Sequence, residues 1–145
     1  MKILLLTITI LLLIHRIKST PRMLSKTIYL INLSKNLDNL KNQKKDTSDD
    51  YFTLAHIISI GVTIFIQALI ILYYLLIGNR FLSNTMMLIL TALQIVTVFI
   101  TCEKQIKFKE VSFNIEDYKF HRFYFLFNVV LDYIYYPMAI YLLIA

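Results

Sequence analysis

Leu54–Ile77 contains no Asp, Glu, Lys or Arg, and the same holds for Thr85–Cys102. A third apolar run, Phe123–Ala145, holds one charged residue, Asp132. An α-helix rises about 1.5 Å per residue, so about 20 residues cross the roughly 30 Å hydrocarbon core of a bilayer. In hydrocarbon the backbone has no water to bond, and such segments close their hydrogen bonds as helices. The three runs therefore define an all-α integral membrane protein. A hydrophobic fraction of 58% over 145 residues leaves no room for a separate soluble domain of ordinary size.

A fourth apolar run, Ile3–Ile14, is short for a span and is followed by His15, Arg16 and Lys18. Its length also fits the core of a signal peptide. No small-x-small cleavage pattern follows it, and the positive charge stands mostly behind it. It is read as a retained first helix that enters with its N-terminus outside. The expected organisation is a small four-span bundle. Residues 3–17 form the short first span, 54–78 the second, 85–102 the third and 123–145 the fourth. A basic amphipathic helix over 22–45 joins the first two spans, and an interfacial segment over 103–122 joins the last two. Gly78-Asn79-Arg80 and Ser83-Asn84 mark a tight turn, which makes the second and third spans an antiparallel hairpin.

Charge placement sets the expected orientation. Eight Lys and Arg fall between His15 and Phe52 and five between Glu103 and Arg122, whereas only Lys2 and Arg80 fall on the other side. The positive-inside rule places both long loops in the cytoplasm and both termini outside, in a cell membrane. The bias holds only if the first run is a span.

Leu30, Leu33, Leu37 and Leu40 repeat at helical spacing, with Lys35, Asp38 and Lys41 between them. Ser19-Thr20 before Pro21 fits a cap and a first turn. Two readings stand: a helix lying on an anionic inner leaflet, or a short coiled-coil contact with a partner. Within 103–122, Phe108, Val111, Ile115 and Tyr118 fit a helical face, while Val111, Phe113 and Ile115 alternate as a strand would. Lysines and aromatics interleave there beside the membrane, which points to interfacial anchoring. No nucleic-acid-binding module is present, and no nucleic-acid partner is expected.

Each long span carries a polar stripe. His56, Ser59, Thr63 and Gln67 share a face of the second, Thr91, Gln94 and Thr101 of the third, and Tyr124, Asn128 and Asp132 of the fourth. Polar faces turn towards one another and away from lipid. Counted from the span ends, Gln67, Gln94 and Asp132 share a depth near the midplane. Together with Asn128 and Thr63 they form the expected intramembrane polar cluster. With no Lys or Arg at that depth, Asp132 is expected to keep its proton and donate it to Gln67 or Gln94. Pro137 is the expected helix break, freeing the carbonyl of Tyr133 beside Asp132. That chemistry serves interhelical bonding, a partner contact, or a proton or cation path built on a broken helix.

His15, His56, His121 and Cys102 each stand at the same end of a different helix. They are weak candidates for a metal site, because no ligand spacing recurs and span-end residues always share a depth. A single cysteine excludes an intrachain disulfide. The chain lacks a glycine-rich phosphate loop, an H-E-x-x-H, a C-x-x-C and a nucleophile elbow. No cofactor is expected, and the protein is read as non-enzymatic. It is expected to act by binding another membrane component, as an accessory subunit or a regulatory or immunity-type protein, or to form a homo-oligomer. The alternative is an oligomeric proton or cation channel or transporter that uses Asp132.

Overall fold

The computed structural model describes residues 2–46, 48–109 and 120–145. Among them the chain is helical throughout: α1 (Lys2–Leu24), α2 (Lys26–Asp46), α3 (Asp49–Arg80), α4 (Thr85–Lys107) and α5 (Arg122–Ile144). All but α2 are long and apolar enough to cross a membrane. The helix-or-strand alternatives around Val111–Tyr118 lie outside the described residues.

Two boundaries differ from the sequence expectation. Pro21 does not open α2; it sits in the last turn of α1. Ser19 Oγ and Thr20 Oγ1 do not cap; they donate back to the Arg16 carbonyl at 3.1 and 2.8 Å. Short hydroxyls compete for nearby carbonyls in this way. The interruption falls at Ser25, whose hydroxyl accepts from the Ile28 N–H at 3.4 Å. Tyr29 N–H still reaches the Ser25 carbonyl at 2.9 Å, so α1 and α2 are parted by one residue. The second difference is at Pro137. It lies inside α5, and the helix runs through it to Ile144. Proline deletes one backbone donor, but the turns on either side still close, and hydrocarbon offers the chain no other conformation.

The turn after α3 follows the expected hairpin. Phe81 N–H bonds the Ile77 and Gly78 carbonyls, and Asn84 N–H bonds that of Phe81 at 2.9 Å. Asn84 then caps α4 by accepting from Met87 N–H at 3.0 Å. Loss of such a cap costs about 1 kcal/mol. Asn84→Ala is expected to lower stability by that amount in denaturant titration of the purified protein, and Asn84→Ser to restore most of it. Gly78 lets α3 and α4 approach closely: a Cβ there would stand 3.0 Å from Thr91 Cγ2.

The broad helix contacts are α1 with α5, α5 with α4 and α4 with α3. The helices thus follow the order α1–α5–α4–α3, and α1 and α3 meet across the bundle through a 2.7 Å bond between the hydroxyls of Thr9 and Tyr73. The bundle has two different halves. Towards the α3–α4 turn it is dry and close-packed: Leu5, Ile77, Met87, Ala139 and Leu143 are all sealed. Lys2 Nζ reaches the Ile144 carbonyl at that end. Towards α2 the interior is polar.

Helix α2 folds onto this polar end. Leu33 and Leu37 are buried, Leu30 and Leu40 half-buried. Tyr29 packs its ring against Phe120 and Phe125 at centroid distances of 5.6 and 5.0 Å. The leucine face expected to meet lipid or a partner is thus covered, at Leu33 and Leu37, by the protein's own chain. Lys26, Lys35, Lys41, Lys44 and Lys45 are exposed.

Candidate functional site: a polar cavity closed by a buried ion pair

The polar half encloses a cavity of about 380 Å³ bordered by all four long helices. Asp132 stands on its α5 wall and is 1% exposed. Its Oδ1 accepts from Gln94 Nε2 of α4 at 2.7 Å, and its Oδ2 is held by the Arg16 guanidinium of α1. A carboxylate therefore links three helices. This corrects the expectation that Asp132 has no cation at its depth. Arg16 was counted with the loop because the apolar run ends at Ile14. In fact α1 continues for ten residues beyond Ile14, to Leu24, and Leu5, Thr9, Leu12 and Arg16 fall on one stripe, spaced four, three and four. Leu5 and Thr9 on that stripe are fully buried. The spacing was the signal that could have placed Arg16 inside.

Gln94 is itself held in place, because its backbone carbonyl accepts from Thr97 Oγ1 at 2.8 Å, and it is 2% exposed. Gln67 does not join Asp132. Its Nε2 donates to Gln105 Oε1 at 3.0 Å, further along towards α2. Helix α3 has 32 residues and α4 has 23. Counting each from its hydropathic ends sets their middles at one depth, whereas the turn between them fixes the register. Thr63 is also elsewhere. Its hydroxyl donates to the Ser59 carbonyl at 2.9 Å and accepts from Lys109 Nζ. Lys109 also donates to the Ser59 carbonyl at 2.7 Å and to Ser59 Oγ at 2.8 Å. This clasp ties the segment after α4 to the side of α3. Partial desolvation there pulls the Lys109 ammonium below the usual lysine range.

Asn128 shares the cavity wall with Gln67, Gln94 and Asp132, is 3% exposed, and among the described residues its buried Oδ1 has no donor. Lys104, on the rim, lies over the Tyr124 ring with Nζ 3.5 Å from its centroid. The Tyr124 hydroxyl in turn shares a 3.1 Å bond with Thr101. At the dry end of the cavity the hydroxyls of Tyr74 and Tyr136 share a 2.8 Å bond, one helical turn from Asp132.

The weak metal candidates do not assemble. His15 is exposed at the cavity rim, His56 stacks on Phe52 at 6.0 Å, and His121 precedes the first turn of α5. Among the described residues no three His, Cys, Asp or Glu come together as a metal-binding group.

No protein family model matches this chain, and neither the curated proteins nor the solved structures contain a match to it.

Proposed function

We propose that the protein is a four-span membrane protein that acts without catalysing a reaction, by binding another membrane component in an accessory, regulatory or immunity-type role. The observation that carries this reading is the closure of Asp132. Both oxygens of its carboxylate are occupied, one by Arg16 and one by Gln94. A carboxyl group that relays protons or passes cations must be free to exchange partners. This one is built as a fastener between α1, α4 and α5. The bundle so fastened holds α2 at a fixed place with its lysines outward, on the cytoplasmic side by the positive-inside rule, with both termini on the other side of a cell membrane.

Lys26, Lys35, Lys41, Lys44 and Lys45 suit an anionic inner leaflet, where each lysine near the surface contributes about 1 kcal/mol. Replacing Lys41, Lys44 and Lys45 by Gln is expected to leave the bundle folded. It should abolish the salt-sensitive protection of α2 from protease in vesicles that contain anionic lipid. Equal protection before and after the replacement would remove the leaflet contact.

The test of the main reading is cross-linking of the tagged protein in its native membrane, followed by mild extraction and mass spectrometry. A different membrane protein recovered in stoichiometric amount is the expected result. Self-cross-links alone would overturn it in favour of a homo-oligomer. The proton or cation path keeps one observation of its own, the Tyr74–Tyr136 hydroxyl pair that continues the polar line from Asp132. A fixed guanidinium on the carboxylate repels cations from that line, so the binding reading stands first. Ion flux through the reconstituted protein that Asp132→Asn abolishes would reverse the order.

A further inference from the structure

The cavity has more donors than its own residues use. Arg16 gives one arm of its guanidinium to Asp132, and among the described residues its other arm finds only the thioether of Met23, a weak acceptor. Lys104 rests on the face of Tyr124, and no carboxylate among the described residues forms an ion pair with it. Among the described residues Asp132 is the only carboxylate on the cavity wall, and Arg16 already pairs with it. The space between Arg16 and Lys104 is therefore electropositive and partly desolvated, and there an anion gains most. The opposite need exists at Asn128, whose sealed Oδ1 lacks a donor, and a hydroxyl would meet it. A ligand that fits carries an anionic oxyacid and a hydroxyl a few ångströms apart.

The walls add a third requirement. The lining includes Leu12 of α1 and Ile70 of α3, the two helices at the ends of the row. Those helices touch through Thr9 and Tyr73 nearer the α3–α4 turn. Lipid therefore has its approach along the seam between α1 and α3 on the α2 side of that contact. A volume of about 380 Å³ holds a head group and the first carbons of its chains, within the usual range of roughly 300–1,000 Å³ for ligand sites.

We propose that this cavity binds the head group of an anionic phospholipid that bears hydroxyls, with the phosphate between Arg16 and Lys104 and a hydroxyl donating to Asn128. The chains leave between α1 and α3. This site stands whether or not a protein partner is found.

The test uses the full chain in neutral detergent, with thermal unfolding and native mass spectrometry as readouts. Four probes are compared: phosphatidylglycerol, phosphatidic acid and phosphatidylcholine of the same chains, and soluble glycerol phosphate. Phosphatidylglycerol is expected to bind one per chain and to raise the unfolding temperature, with phosphatidylcholine about tenfold weaker, the scale of one charge-assisted hydrogen bond. Lys104→Gln should lose about tenfold, Lys104→Arg should keep binding, and Arg80→Gln, exposed at the opposite end of the bundle, should change nothing. Asn128→Leu should remove the preference for phosphatidylglycerol over phosphatidic acid, which has no head-group hydroxyl. Glycerol phosphate that binds as tightly as the lipid would overturn the lipid assignment and give the same site to a soluble phosphate ester. Equal retention of phosphatidylglycerol by the parent protein and Lys104→Gln would overturn the cavity assignment.

Discussion

Asp132→Leu is expected to destabilise the bundle by about 3–5 kcal/mol, the cost of leaving one member of a buried ion pair without the other. The carboxylate is sealed and its partner Arg16 is about one-fifth exposed. Removing Asp132 strands a guanidinium against Leu12 and Met23, and it also frees the Gln94 amide. Arg16→Leu should cost a similar amount, because it leaves the carboxylate with Gln94 alone. The double replacement Arg16→Leu with Asp132→Leu should recover most of the loss, since an apolar pair of similar volume avoids desolvating two charges. Gln94→Leu removes one hydrogen bond to a charge, about 1.5–3 kcal/mol. These four proteins form a cycle that is read by unfolding in a denaturing detergent. If the double variant were as unstable as the sum of the two singles, the two side chains would not be acting on each other.

The second large effect is expected at Gly78. A Cβ at this position would stand 3.0 Å from Thr91 Cγ2, closer than ordinary contact. Small residues let helices approach within a bilayer, where van der Waals packing drives association in place of the hydrophobic effect. Gly78→Leu adds a branched side chain where no space exists, and overpacking of this kind costs about 1–3 kcal/mol. The milder Gly78→Ala should be partly relieved by Thr91→Ser, which removes the methyl group that the new Cβ meets. Gly61 is the control on the same helix: a Cβ there meets nothing within 4 Å, so Gly61→Leu should leave stability unchanged. The measurement is the same detergent titration. Equal losses at the two glycines would show that the contact with α4 does not set the cost, since helix propensity alone favours Leu over Gly at both positions.

The spans were legible in the sequence because hydrocarbon imposes one rule on every backbone, and runs such as Leu54–Ile77 report it directly. The turn at Asn84 was legible because its residues carry their own local chemistry. The pairing of Gln94 with Asp132 was legible because both residues lie on polar stripes and near the middle of spans of similar length, but its direction is the reverse of the expected one, with Gln94 Nε2 donating to the Asp132 carboxyl oxygen. Arg16 was hidden by a sound convention: charges beside a short apolar run are counted as loop. Gln67 lines the same cavity as Gln94, Asn128 and Asp132 but bonds Gln105 and not Asp132, because register is set by the connecting turn and not by hydropathic ends. The burial of Leu33 and Leu37 was beyond reach for a different reason. An apolar stripe states that something covers it, and only the fold states that the cover is the same chain.

The union of Arg16 with Asp132 also has a consequence for biosynthesis. The two residues are roughly 115 positions apart, and at about 5–20 residues per second the acid is made on the order of 5–25 s after the base. For that interval the first span carries an uncompensated charge, which at bilayer depth costs roughly 2.5–3.5 kcal/mol. The early chain thus rides shallow, with its guanidinium at the water boundary, and settles to full depth only when the last span arrives to receive it. Completion of the protein is in this way coupled to seating of its first helix. Chains truncated before α5 should leave Arg16 more reactive towards water-soluble reagents than it is in the finished protein, where it is about one-fifth exposed.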